Sequence, residues 1–128
     1  MSAATILPVR LQLSRRAGFN LQMVSHAVNG RAAVNCARPG PWGNPYTIAE
    51  WGREQAIALH RTALTCGREL LADNPEALAW RDRTLARIGE LTGKNLACWC
   101  PLPPPYERDR CHTAVYFELA NPGWKRAA

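Results

Sequence analysis

The feature of this chain that most restricts its fold is a central stretch of helical periodicity carrying two start signals. Thr47-Ile48-Ala49-Glu50 has the form of a capping box, with Thr47 as the N-cap. Ile48, Gly52, Ala56, Leu59, Ala63, Cys66 and Leu70 then recur every three or four residues, which predicts one long helix over 48–72. Asn74-Pro75-Glu76 opens the next helix, with a cap, a proline at the first helical position and an acid in the first turn. Leu78, Leu85, Ile88 and Leu91 mark the buried face of this second helix, over 75–91, and Gly93 suits its end.

Strands fall on either side. Val9, Leu11 and Leu13 alternate with Arg10, Gln12 and Ser14, so 9–14 reads as a strand with one buried face. A basic turn, Arg15-Arg16-Ala17-Gly18, follows it. Residues 19–31 have weak periodicity and read as irregular with a short helix at most. Residues 33–37 form a second candidate strand and 95–100 a third. Four prolines make 101–110 a loop, and 111–121 reads as a last helix stopped by Pro122-Gly123. With 128 residues, 47% hydrophobic and 20% charged, the expectation is one α/β domain. Its sheet is small, mostly parallel or mixed, with three to five strands packed by helices. The core spans about 9–121, with short flexible ends. No apolar run is long enough to span a membrane. Residues 1–8 are too short and too weakly apolar for a signal peptide, which points to the cytoplasm.

The net charge is +6, and the first 53 residues hold six arginines against the single acid Glu50. That bias favours an anionic partner, while a plain solvated surface is the competing explanation. Five cysteines are present. Cys66, on the apolar face of the long helix, and Cys36, near a strand end, read as buried core residues. Cys98-Trp99-Cys100 differs: in a strand, positions i and i+2 share a face, so both sulfurs point one way and Trp99 the other, under a helix. The proline loop can then return Cys111 and His112 to Cys100. Cys98, Cys100, Cys111 and His112 make a candidate zinc set. An iron–sulfur cluster would use similar thiolates and a cytosolic disulfide is disfavoured. The spacing departs from the usual paired-knuckle pattern, and neighbouring Cys111 and His112 do not easily both face inward. A second reading makes Cys111 a nucleophile at a helix N-terminus, with His112 as base and Arg108 and Arg110 nearby. A third leaves the thiols merely buried.

Two further loops carry chemistry. In Pro39-Gly40-Pro41-Trp42-Gly43-Asn44-Pro45-Tyr46, Gly43 permits a close backbone approach and Pro45 fixes the presentation of the Asn44 amide. Trp42 and Tyr46 offer faces on which a base or sugar could stack. The competing explanation, Trp42 as a core plug in a rigid turn, is slightly favoured. Ser14, Arg15 and Arg16 with Gly18 could cradle a phosphate. His60 reads as a solvent-side residue of the long helix.

These stretches together resemble the domain-of-unknown-function family 4326 of bacteria and their phages. The resemblance lies in residues 12–19 (QLSRRAGF), in 38–46 (RPGPWGNPY), in 91–102 (LTGKNLACWCPL) and in 111–121 (CHTAVYFELAN). Two departures stand out: Thr113-Ala114 replaces an Ala-Asp of the family pattern, and the loop 103–110 is longer. The resemblance implies a compact α/β domain and no activity. It groups the loops into one candidate site at the carboxyl ends of strands, where open α/β sheets bind ligands. In that site Cys111, His112 and Asn44 are the catalytic candidates. Ser14, Arg15, Arg16, Arg38, Trp42, Gly43 and Trp99 are the ligand-binding candidates. The expected function is a small enzyme, a hydrolase or transferase, or a ligand-binding domain for a nucleotide-like or phosphorylated small molecule. A nucleic-acid-binding module with structural zinc is the alternative, and a protein-binding role of the Pro103-Pro104-Pro105 run is a third.

Overall fold

A computed structural model describes residues 7–104 and 107–124. Expectations about the two chain ends and about Pro105 lie outside the described residues. The chain runs β1 (Arg10–Gln12), α1 (Leu21–Asn29), β2 (Ala33–Asn35), α2 (Ile48–Trp51), α3 (Arg53–Thr65), α4 (Pro75–Ala86), β3 (Asn95–Cys98) and α5 (Thr113–Ala120). Single 3₁₀ turns at Arg68–Leu71 and Ile88–Leu91 flank α4. The α/β expectation holds. Three strands form one sheet in the order β1-β3-β2, and both pairings are parallel. Arg10 stands opposite Leu96 on one side, and Val34 stands opposite Leu96 on the other.

The last strand in sequence is therefore the central one, and all four of its residues are buried. A parallel strand covered on both faces needs apolar or small residues throughout, which Leu96, Ala97 and Cys98 supply. Leu96 joins the larger core cluster, with Cys36, Trp42, Ala63, Leu64, Trp80, Leu91 and the buried apolar residues of α5. Ala97 joins the smaller one, with Leu11, Leu13, Ala33, Ala37, Cys98 and Cys111. Asn95 is polar yet wholly buried. Its amide nitrogen donates to Ser25 Oγ and Asn29 Oδ1, and its oxygen accepts from the Val9 amide, so burial leaves nothing unpaired. β2 is an edge strand, and the Gln22 side chain bonds both the N–H and the C=O of Ala33, in place of a neighbouring strand.

Several local expectations need correction. Residues 19–31 contain a regular helix, α1, which Asn20 caps by accepting the Met23 N–H. Leu21, Val24 and Val28 do recur at helical spacing, yet Met23, Val24 and Val28 stay exposed and only Ser25 is buried. The long helix 48–72 is three pieces. Thr47 Oγ1 does accept the Glu50 N–H, but α2 stops at Gly52, whose φ of 79° and ψ of 157° suit glycine almost alone. α3 ends at Cys66, which turns extended, so Cys66 is exposed and not a core residue. Asn74 caps α4 as expected, through the Ala77 N–H. That helix ends at Ala86, short of the expected 91, and the 3₁₀ turn Ile88–Leu91 follows it. The final helix starts at Thr113, leaving Cys111 and His112 in the turn before it. Among the described residues no helix is long and apolar enough to cross a membrane.

Candidate metal centre and cleft

All three strands are parallel, so their carboxyl ends share one edge of the sheet, and the candidate loops leave from that edge. Cys98 closes β3, Cys100 lies two residues on, and Cys111 arrives in the turn before α5. The Sγ atoms of these three lie within 4.8 Å of one another. Cys98 Sγ and Cys100 Sγ are 3.8 Å apart. Zinc–sulfur bonds of about 2.3 Å in a tetrahedron set neighbouring sulfurs about 3.8 Å apart, so this spacing is that of a tetrahedral edge. Cys98 and Cys111 are buried and Cys100 half-buried.

Arg10 brings the segments together. Its Nε donates to Asp109 Oδ2 at 2.8 Å, and its two terminal nitrogens donate to the carbonyls of Cys100 and Pro101. The alternation of β1 places this side chain opposite Leu11, on the face expected to meet solvent. Instead the Cys100–Pro101 segment and Asp109 cover it, and the side chains of the ion pair are 5% and 7% exposed. Neither Arg10 nor Asp109 stood out in the sequence, because nothing local announces a pair separated by 99 positions. Arg53 was also missed. Its Nη1 donates to Cys100 Sγ at 3.3 Å.

His112 is buried, and its Nε2 lies 2.8 Å from the Cys36 carbonyl and 3.0 Å from the Trp42 carbonyl. Both partners accept, so Nε2 carries the proton. In the neutral ring Nδ1 is then an acceptor, 3.8 Å from Cys111 Sγ. Burial holds the imidazole below the usual histidine range. The expected fourth ligand is thus not grouped with the three sulfurs; it ties the loops after β2 to the turn that carries Cys111. Within the cluster the thiols of Cys100 and Cys111 are shifted in opposite directions. The S–H groups of Cys111 and Cys98 donate to Cys100, and Arg53 adds its charge, which draws the Cys100 thiol down. Donation to Cys100 and Cys98, with burial, pushes the Cys111 thiol up. The Cys36 thiol is pushed up by burial as well, in keeping with its expected core position.

The sulfurs open into a cleft of about 280 Å³, lined among others by Arg38, Asn44, Arg53, Trp99 and Arg110. No carboxylate is among its described lining residues. Arg38 and Arg53 make no ion pair among the described residues, whereas Arg110 and Arg108 both pair with Glu54. Asn44 reaches the cleft, but its amide is committed: Nδ2 donates to the Ala56 carbonyl and Oδ1 accepts the Tyr46 N–H. It fixes the loop to α3 and is not a free catalytic group. Trp42 is a core plug, 5% exposed, with its ring edge-on to Tyr116 at 5.3 Å. It offers no face for stacking. Gly43 makes the expected close approach: a Cβ there would lie 2.8 Å from Arg38 Cα.

Ser14 Oγ accepts the Arg16 N–H and shapes the loop after β1, while Arg15 and Arg16 are exposed. Trp99 does not pack under a helix. It is 42% exposed, and the Arg15 guanidinium carbon lies 4.5 Å from its ring centroid. His60 is not on the solvent side either. It is fully buried among Trp80, His112 and Tyr116, and both ring nitrogens lack a hydrogen-bond partner. Its spacing from Ala56, Ala63 and Leu64 is helical, and that spacing was the signal for its burial.

The family model described as "Domain of unknown function (DUF4326)" matches residues 19–122. No curated protein and no solved structure matches the chain.

Proposed function

Because the chain belongs to the DUF4326 family, whose description carries no activity, we propose its function from the site: a zinc-dependent enzyme, hydrolase or transferase, acting on a nucleotide-like or phosphorylated small molecule. The observation that carries this reading is the convergence of the Cys98, Cys100 and Cys111 sulfurs within 4.8 Å of one another, Cys98 and Cys100 at tetrahedral spacing, on the wall of an arginine-lined cleft. Three protein ligands on zinc leave one position for water or substrate, and zinc in such a site supplies a Lewis acid and a water of lowered pKa.

The chain's own residues have separate tasks. Arg38 and Arg53, free of carboxylates among the described residues, receive the anionic group of the ligand. Arg10 and Asp109 hold the Cys100 and Cys111 segments at a fixed separation. His112 and Asn44 hold the facing wall through the Cys36, Trp42 and Ala56 carbonyls. With no carboxylate among the described lining residues, this reading rests on anion binding and metal chemistry and not on a carboxylate base.

The test is a thermal-shift screen of the protein as purified, with nucleotides and phosphorylated sugars, followed by assay of each hit for turnover. A true ligand at 100 times its Kd adds about 2.7 kcal/mol of stability. That gain is expected to fall sharply in Arg53→Ala and Arg38→Ala. No shift with any phosphorylated ligand contradicts the reading. Exposed Arg15, Arg16 and Arg38 favour the second reading, a nucleic-acid module with structural zinc; its mark is an affinity for single strands that falls steeply with salt.

A further inference from the structure

We propose that the cleft takes a single nucleoside monophosphate, its base laid against Trp99 and its phosphate held by Arg38 and Arg53. This rests on the reading of the cleft as an anion site and adds the identity of the neutral end of the ligand.

The argument starts from Trp99. It stands between Cys98 and Cys100 of the thiol cluster, in the bend that follows β3. It lines the cleft and is 42% exposed, a large apolar surface left in water beside a polar site. The core has no use for it: neither core cluster includes it. Its one described ring partner is Arg15, from the loop after β1, whose guanidinium lies 4.5 Å from the centroid. A cation over a ring face fixes the plane of the indole. It also prepares the place for a base, because guanidinium and indole are both planar and both stack on bases. Arg15 makes no ion pair among the described residues, so its charge remains available to a ligand.

The same cleft also carries positive charge. Arg38 leaves the carboxyl end of β2 and Arg53 opens α3 beside Cys100. Both line the same cleft as Trp99. An exposed aromatic ring and guanidiniums without carboxylate partners among the described residues, lining one cleft, match a planar base joined to a phosphate. Size limits the ligand further. A volume of about 280 Å³ is close to the lower end of ligand pockets, a size that suits one nucleotide.

The experiment is calorimetric titration of the full chain as purified with four probes: inorganic phosphate, ribose 5-phosphate, the common nucleoside monophosphates and a short single-stranded oligonucleotide. At least one nucleoside monophosphate is expected to bind about 5- to 150-fold tighter than ribose 5-phosphate, the span of base stacking on an aromatic ring. Trp99→Ala is expected to collapse that gap while leaving ribose 5-phosphate affinity and metal content unchanged. Trp99→Phe retains most of the gap, which separates stacking from a folding defect. Equal binding of nucleoside monophosphate and ribose 5-phosphate, or a gap that survives Trp99→Ala, overturns the platform and leaves the anion site standing. Failure of every phosphorylated probe overturns both. An oligonucleotide that binds far tighter than any monomer overturns the single-nucleotide assignment in favour of a strand-binding surface.

Discussion

The Arg10–Asp109 pair shows how much one residue can decide in a domain this small. Both side chains are nearly out of water, so removing one leaves the other charged and unpartnered. Asp109→Asn is expected to cost about 3–5 kcal/mol in chemical denaturation. It should also loosen the segment that brings Cys111 to Cys100; a loss under about 1 kcal/mol would mean the pair is solvated. His60 makes the opposite case. Both ring nitrogens are buried without partners, so His60→Leu is expected to keep or raise stability at pH 7, by up to about 1–3 kcal/mol. Burial holds His60 and His112 below the usual histidine range. The folded chain therefore stays neutral at these sites as pH falls through about 6.5, while the unfolded chain takes up protons. Stability is fully present above that pH and is lost below it, by at most about 1.4 kcal/mol per pH unit for each histidine. His60→Leu should make that loss shallower between pH 6.5 and 5, as read from denaturant midpoints. An unchanged slope would place the charge elsewhere. His60 was misread as a solvent-side residue, although its spacing from Ala56, Ala63 and Leu64 carried the signal for burial. The Arg10 pair was not, because strand alternation pointed Arg10 at solvent and its partner lies across the whole chain.

At the scale of elements, capping chemistry was the most legible signal and helix continuity the least. Asn74 and Thr47 cap the helices that follow them, because a side-chain oxygen beside free N–H groups is a local arrangement. The break at Gly52 is not announced locally, since the apolar period runs through it unchanged. Its cause is backbone conformation: φ is 79° and ψ 157°, and a Cβ there would meet nothing within 4 Å. Gly52→Ala is therefore expected to cost about 1–3 kcal/mol through strain alone, with α3 intact by circular dichroism. A gain in helicity and stability would show that α2 and α3 prefer to be one helix. The misplacement of Cys66 follows from the same source, because the helix assigned to carry it inward has already ended at Thr65. The strands were found but overlong. Parallel pairing needs only the few residues shared with β3, and the rest of each candidate strand becomes the loop that builds the site.

For the whole molecule, the placement of the site follows from topology. Three parallel strands with β3 in the centre put the loops after β1, β2 and β3 on one edge, and the cysteines, Arg38 and Trp99 with its Arg15 partner all belong to those loops or to the turn before α5. The three cysteines and the cleft arginine Arg38 were legible from residue type and spacing. Trp42 as a core plug was the slightly favoured reading, but the roles of Asn44 and His112 were not legible, because each has hydrogen-bonding capacity that tertiary partners use up. Trp42 fills the core, Asn44 ties its loop to α3, and His112 donates to carbonyls 70 and 76 positions away. Polarity in a motif signals that a group must be satisfied, and only the fold decides whether a ligand or the chain satisfies it.

The central claim is that Cys98, Cys100 and Cys111 hold one metal ion. The measurement that tests it most directly is elemental analysis of protein purified without added metal, on the unaltered chain and on Cys98→Ser and Cys111→Ser. About one zinc per chain in the first and a large loss in both variants is the predicted result, with Cys66→Ser, which alters the exposed cysteine away from the cluster, unchanged. Metal-free protein with intact folding, or zinc retained in both cluster variants, would contradict it.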